Sequence, residues 1–256
     1  MKRAALVLAT VLAVPALALA QTPVDQKRPA AASGKVSIEN MAGSVKVTGW
    51  ERAEVHVKGT LGDGAELSFD VSGEQTTIEV EADHGNPMGI KSDLEVFVPT
   101  GSSVSIEGFQ ATISVTGVTG SVSAETVNGT VTVRDASGEL EASTVNGKLL
   151  VTGGSFERAA LESVAGGVRF EAGLSARATL SVESVSGTVE LFLPAAIGAE
   201  FSVSTFSGDI TNELGPAAEK SSRWTPEKRL SFTTGSGGAR VTVETLSGAV
   251  SIRKRP

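Results

Sequence analysis

The 256-residue sequence contains no cysteine and no tyrosine. Without thiols, disulfide bonds, thiol catalysis and thiolate metal sites are excluded, and so is the acylated cysteine of a bacterial lipoprotein. Aromatic residues make up only 4% of the chain, which is few for a groove that stacks sugars. The folded chain must therefore be stabilised by packing and by backbone hydrogen bonds.

Long apolar runs are confined to the amino terminus. Lys2 and Arg3 precede the apolar stretch 4–16, and Ala18-Leu19-Ala20 fits the small-x-small cleavage rule, which predicts a signal peptide over residues 1–20. No later run is long enough to span a bilayer. The net charge of −7 becomes two units more negative without Lys2 and Arg3. This acidity argues against nucleic acid or an anionic membrane as a general partner. We expect an exported protein of the periplasm or the cell surface.

The rest of the chain is patterned as β-strands. Residues 21–33, rich in proline, alanine and charge, are predicted to form a flexible leader. From Gly34 onward apolar residues alternate with polar ones, as in strands with one buried face, and no convincing helical stripe of ten residues occurs. The predicted fold class is all-β. The alternation predicts that His56, between Val55 and Val57, points outward.

A phrase of small polar residues, an apolar residue, Asn or Ser, and glycine recurs along the chain. Its glycines are Gly129, Gly147, Gly166, Gly187, Gly208 and Gly248. A period of about 18–21 residues, with two strands in each period, predicts a single-domain, parallel β-helix-like solenoid whose coils stack at about 4.8 Å. In this prediction Val131 and Val133 lie over Leu149 and Val151. A β-sandwich, or a hybrid of sandwich and solenoid, is the alternative.

The spacing divides the predicted solenoid domain, 34–256, into four parts: irregular cap strands over 34–90, regular coils over 91–211, an inserted loop over 212–229 and a terminal coil over 230–256. The cations of Arg253-Lys254-Arg255 are expected to protect an open edge at the last strand. Within the phrase, we expect glycine to allow the turn, Asn or Ser to stack, and the apolar residue to fill the core.

Three segments carry a family resemblance: Leu94–Gly101, the coils from Glu190 to Ile210, and Gly238–Ile252. With the repeated glycine phrase they make the chain, over about Val36 to Ile252, similar to the bacterial putative-adhesin family of exported β-strand-repeat proteins, a domain of unknown function. The resemblance implies an extended β-solenoid at the cell envelope, with a link to envelope stress. It brings no catalytic residues.

An intermittent acidic column lies four residues before the glycines, at Glu125, Glu162, Glu183 and Glu244, with Ser143 and Ser204 at equivalent places. Stacked carboxylates attract hard cations such as Ca²⁺. However, the serine coils relieve the repulsion, and no calcium-binding repeat is present. We therefore predict a solvated face, with no metal and no cofactor.

The inserted loop contains the sharpest candidate for a contact, Trp224 beside Arg223. Exposed tryptophan and arginine are common at binding surfaces. The alternative is that Trp224 plugs the open end of the core, as Trp50 is expected to do at the amino-terminal end. The row formed by Asn128, Asn146, Ser186, Ser207 and Ser247 is interpreted as structural, through side-chain bonds along the stack.

Catalytic patterns are weak. His56 and His84 have no partners at a recognisable spacing, and neither a nucleophile elbow nor a phosphate loop occurs. The nearest carboxylate pair is Asp209 and Glu213, with Arg223 as a basic residue.

The sequence therefore predicts a non-enzymatic exported protein that presents a rigid β-solenoid surface to an unidentified component of the cell envelope, as an adhesin or an envelope scaffold. A polysaccharide-active enzyme and an envelope-stress regulatory partner are the alternatives.

Overall fold

The computed structural model describes residues 21–82, 91–220 and 225–255, and these residues form one sheet of 21 strands. The alternation of β-branched residues determines these strands, and the described residues contain no helix. The strands are β1 Thr22–Pro29, β2 Lys35–Glu39, β3 Ala42–Trp50, β4 Glu54–Leu61, β5 Ala65–Ser72, β6 Gln75–Ala82, β7 Ser92–Pro99, β8 Ser103–Gly108, β9 Gln110–Thr116, β10 Val122–Asn128, β11 Val131–Arg134, β12 Ser137–Asn146, β13 Leu149–Ala165, β14 Val168–Ser186, β15 Val189–Leu193, β16 Ala199–Thr205, β17 Ile210–Asn212, β18 Glu219–Lys220, β19 Lys228–Thr234, β20 Ala239–Ser247 and β21 Val250–Lys254.

The sheet wraps into two faces, and β13 and β14 contribute to both of them. Face A has the order β5-β6-β2-β8-β10-β12-β13-β14-β20-β16-β19-β18. Face B has the order β1-β4-β7-β3-β9-β11-β13-β14-β15-β21-β17. Pairing is parallel through the middle of both faces and antiparallel only toward their ends. The chain is therefore all-β and solenoid-like.

Inward side chains of successive coils stack in register and form one continuous core. Val131 pairs with Leu149, and Val133 pairs with Val151, as predicted. All four are buried, at no more than 1% exposure. Phe156 and Phe170 are among the largest fully buried side chains, and their ring centroids lie 6.1 Å apart.

The two ends of the chain are inserted into the stack. Strands β20 and β21 pair on one side with β14 and β15 and on the other with β16 and β17. Likewise, β2 lies between β6 and β8 on face A, and β3 lies between β7 and β9 on face B. The predicted position at the end of the stack is therefore wrong for β20 and β21, and so is the edge assigned to Arg253, whereas residues 230–234 of β19 do lie toward the end of face A. The interval of 40 residues between Gly208 and Gly248 gives no sign of the order in which the two coils stack.

The amino-terminal segment also differs from the prediction. Residues 22–29 are not a flexible leader, because β1 pairs antiparallel with β4 over its full length. His56 lies on the outer face, as predicted, because its neighbours Val55 and Val57 are the ones buried in the core, but it is covered and only 5% exposed. Its ring lies 6.0 Å from Trp50 and 5.8 Å from Phe97, and its Nε2 lies 2.6 Å from Asp25 Oδ1. This hydrogen bond is the main cause of the lowered pKa of Asp25.

Part of the predicted inserted loop is ordered into strands. Strand β19 pairs antiparallel with β16, and the short β18 extends the same face. Among the described residues, no helix is long and apolar enough to cross a membrane.

Candidate functional site

The glycines of the repeated phrase form a stacked column. A β-carbon added at Gly147, Gly166, Gly187, Gly248 or Gly208 would overlap the carbonyl oxygen of the glycine in the neighbouring coil, and one at Gly129 would overlap that of Ala111. Of these six, only Gly187 has a positive φ, of 152°. Close approach of successive coils, and not the predicted left-handed turn, is therefore the main requirement for glycine here.

Within the phrase it is the hydroxyl residue that points inward. Thr126 and Thr144 are each 4% exposed, and their Oγ1 atoms donate to the carbonyl oxygens of Ala111 and Gly129 at 3.0 and 3.2 Å. Thr205 makes the same bond to Gly248, at 3.1 Å. Because successive residues of a strand point to opposite faces, the apolar residue that follows is turned outward. The prediction that it fills the core is wrong.

An exposed apolar row results. Five large apolar side chains of the described residues are more than one-third exposed, and all five occupy this position of the phrase: Val145, Val164, Val185, Leu246 and Phe206, with exposures between 39 and 55%. Val127, half-buried, extends the row at one end. The pairing order brings Leu246 between Val185 and Phe206. A single line thus collects apolar surface that soluble proteins usually scatter or bury.

An acidic row runs beside the apolar row, two residues earlier on each strand. It contains the four predicted glutamates and three further ones, of which Glu39 also lies four residues before a glycine, Gly43. In sheet order its members are Glu79, Glu39, Glu107, Glu125, Ser143, Glu162, Glu183, Glu244 and Ser204. Glu39 aligns with Glu107 only because β2 is inserted before β8, which no sequence interval reveals. Partial burial, together with Glu79 and Glu107, raises the pKa of Glu39.

The two rows are the walls of an open groove of about 710 Å³ that crosses the strands of face A. Its floor is the inward hydroxyl column, which includes Ser163 and Ser184. Their Oγ atoms are buried without a hydrogen-bond partner. Six glutamates line the groove, and none of the lining residues that the structure describes is Lys, Arg or His. The groove, defined by the acidic row from Glu107 to Ser204 and the apolar row from Val127 to Phe206, is the candidate functional site.

The sequence profile of the family described as Toastrack DUF4097 matches residues 29–253. The chain belongs to this Toastrack family. The predicted relationship to putative adhesins of unknown function is confirmed. No curated protein matches the chain.

Solved structures similar to this Toastrack chain are distant in sequence. A structure named "putative adhesin" from Bacteroides fragilis NCTC 9343 is 12% identical, with a TM-score of 0.49, over 91% of this chain and 98% of that one. A "putative cell adhesion protein" from Clostridium sporogenes ATCC 15579 is 12% identical, with a TM-score of 0.40, over 91% and 100%. A "putative lipid binding protein" from Parabacteroides distasonis ATCC 8503 is 9% identical, with a TM-score of 0.37, over 91% and 97%.

The other predicted site residues of the Toastrack chain do not converge on the groove. Trp224, Arg223 and His84 lie outside the described residues. Asp209 is exposed and accepts a hydrogen bond from Lys228, which lowers its pKa. Glu213 accepts a hydrogen bond from the backbone N–H of Lys254, at 3.2 Å. In the part of the chain that the structure describes, no three His, Asp or Glu side chains are placed to hold a metal ion.

The polar row that follows the apolar row, one residue later on each strand, has a structural role at Asn128 and Asn146. Asn146 Nδ2 donates to Asn128 Oδ1 at 3.1 Å, which confirms the predicted bond between neighbouring coils for this pair. No sequence signal marks the apolar row as exposed, because its spacing is also that of a core position. Only the direction of the neighbouring threonine hydroxyls distinguishes the two.

Proposed function

We propose that this protein is a non-enzymatic, exported binding protein of the cell envelope, with an adhesin or scaffold role, and that it holds its partner along the groove. The observation that supports this most strongly is the apolar row, which gathers on one line all five of the exposed large apolar side chains found among the described residues. Contiguous exposed apolar surface with a polar rim is typical of interaction sites. Export is part of the proposal and is supported by the signal-peptide pattern of residues 1–20.

Asp209, of the predicted carboxylate pair Asp209 and Glu213, is poorly suited to the role of a catalytic acid. A glycosidase needs one carboxyl group with a raised pKa as a general acid. Asp209, the nearest candidate, has a lowered pKa because Lys228 bonds to it. The polysaccharide-active enzyme is therefore the less favoured of the two functions.

Binding of the mature chain, 21–256, to isolated cell-envelope fractions tests the proposal. The test variant carries Val164→Ser, Val185→Ser and Leu246→Ser. Its matched control carries Arg158→Ser, Thr179→Ser and Arg240→Ser, which change exposed positions six residues earlier on the same three strands. We expect the control to sediment with the envelope fraction as the wild type does, and the test variant to remain in the supernatant. Equal sedimentation of both variants would contradict a role for the groove.

A further inference from the structure

The occupant of the groove can be inferred from the arrangement of its two walls. One wall offers carboxylates at five of its seven positions, and none of the described residues that line the groove is a cation. The other wall is apolar along its whole length. A complementary ligand must therefore present a line of cations beside a line of apolar groups. An anionic lipid or a neutral glycan supplies only part of this pattern.

The spacing of the rows distinguishes between conformations of such a ligand. The positions of each row repeat at about 4.8 Å, the distance between paired strands. Along an α-helix each face repeats at about 5.4 Å, so helix and row drift apart by less than about 2 Å over three coils. Long lysine and arginine side chains can absorb that difference. In an extended peptide, the side chains on each face repeat at about 6.6–6.8 Å, so they are already about 2 Å out of line with the row after a single coil.

The length of the groove limits the length of the ligand. From Glu107 to Ser204 the acidic row crosses seven strands, which correspond to about 29 Å. A helix of that length has about 19 residues, at 1.5 Å per residue. At the Ser204 end, Arg229 of β19 is the next paired position, and its cation ends the acidic row. A basic helix is therefore expected to end at or before β16.

We propose that the groove binds a basic amphipathic helix of another polypeptide, with its lysine or arginine line against the acidic row and its apolar line against the apolar row. This proposal rests on the proposed function and names the chemical class of the partner. The helix lies across the strands and parallel to the stacking direction of the coils. Helix-in-groove recognition of this kind depends on apolar anchors for affinity and on charge for orientation.

Three fluorescein-labelled peptides of 18 residues test the proposal by fluorescence polarisation with the mature chain. The first contains leucine and lysine arranged as an amphipathic helix. The second has the same composition in an order without an apolar face, and the third replaces lysine with glutamate. We expect the first peptide to bind at least about tenfold more tightly than the second, because only the first places a line of lysines beside a line of leucines. The third peptide should not bind, because its glutamates face the acidic row. Equal affinity for the first two would reduce the effect to general charge attraction and overturn the proposal.

Two double variants locate the bound peptide. Val164→Ser with Val185→Ser is expected to weaken binding of the first peptide about tenfold, through lost apolar contact. Glu162→Gln with Glu183→Gln is expected to weaken it about fivefold at low salt and to reduce its salt dependence. The control, Arg158→Ser with Thr179→Ser, should bind as the wild type does. Circular dichroism and melting temperature verify that each variant is folded. Unchanged affinity in both groove variants would overturn the proposal.

The same samples separate this proposal from the proposed function. If groove variants lose binding to envelope fractions but no peptide binds, the helix proposal fails while the binding function stands. If neutral phosphatidylcholine vesicles bind through the groove and the peptides do not, the partner is a lipid and the helix proposal is overturned. If neither envelope fraction nor peptide binds, both proposals fail.

Discussion

Gly166 stacks on Gly147, and a β-carbon at Gly166 would overlap the Gly147 carbonyl oxygen. Because the obstacle is backbone, relief requires the coils to separate. Gly166→Ala is therefore expected to lower the free energy of unfolding by at least about 2 kcal/mol. The neighbouring Gly167 is a matched control, since a β-carbon there would meet only Thr188, at ordinary contact distances. Urea denaturation of both variants checks the prediction, and equal losses would contradict it.

The glycine column shows how far sequence reasoning reached. The interval between Gly129 and Gly147 predicts a stacked coil, and Val131 pairs with Leu149 as expected. The same phrase did not reveal its own orientation. Threonine and valine both suit either face of a strand, and a threonine can be buried at little cost when a backbone carbonyl accepts its hydroxyl proton. The apolar row was therefore assigned to the core, although Val164 and Val185 are each 45% exposed.

At equivalent positions of the inward hydroxyl column, some hydroxyl groups have a hydrogen-bond partner and others have none. Thr144 Oγ1 donates to the Gly129 carbonyl, whereas Ser163 Oγ is buried without a partner. Thr144→Val removes a hydrogen bond at nearly constant volume and is expected to cost about 1 kcal/mol of unfolding free energy. Ser163→Ala removes an unsatisfied hydroxyl and should change stability by less than about 0.5 kcal/mol or increase it. A loss at Ser163 equal to that at Thr144, in denaturant titrations, would show that the serine is satisfied in solution.

Glu39 should make stability depend on pH. Its pKa is raised, first by partial burial and then by Glu79 and Glu107. A raised carboxyl pKa favours the neutral form in the folded state, so its contribution is favourable at low pH and is lost as pH rises through the folded-state pKa. At pH 7 the charged Glu39 therefore opposes folding. Glu39→Gln is expected to raise the melting temperature by about 1–3 °C at pH 7.

The difference between Glu39→Gln and wild type should disappear below about pH 3, where the carboxyl group is neutral in both the folded and the unfolded state. Glu139→Gln, at an exposed position of β12 outside the acidic row, is the control and should not change the melting temperature. Differential scanning calorimetry at both pH values measures the effect. A stabilisation that persists at low pH would assign it to packing and not to charge.

The acidic row also shows what the sequence could not supply. Glu125, Glu162, Glu183 and Glu244 share a position in the phrase, and this was sufficient to predict a column. Glu79 precedes no such glycine, whereas Glu39 lies four residues before Gly43, a match to the phrase that the prediction did not use. They join the row because β2 pairs with both β6 and β8, which are far apart in the chain. Pairing between distant strands depends on the order of the whole stack, and local alternation does not encode that order.

The inserted position of β20 and β21 predicts an unusual response to truncation. In a stack built in chain order, loss of the last coil removes only an end and leaves the other coils paired. Here β16 is joined to the rest of face A only through β20, and β17 is joined to face B only through β21. Val241, Val243 and Ile252 of the inserted coil are completely shielded from solvent.

Deletion of residues 239–256 is therefore expected to unfold the segment 199–234 and to lower the melting temperature by about 10 °C or more, since β16 keeps only β19 as a partner and loses its pairing with β20 and the buried contacts made there. Hydrogen exchange followed by mass spectrometry should show loss of protection over 199–234, with the coils from β8 to β13 still protected. Deletion of residues 21–29, which removes only the edge strand β1, is the control and should leave 199–234 protected. Retained protection of 199–234 in the longer deletion would mean that β16 can pair directly with β14, so that the coils can also stack in chain order.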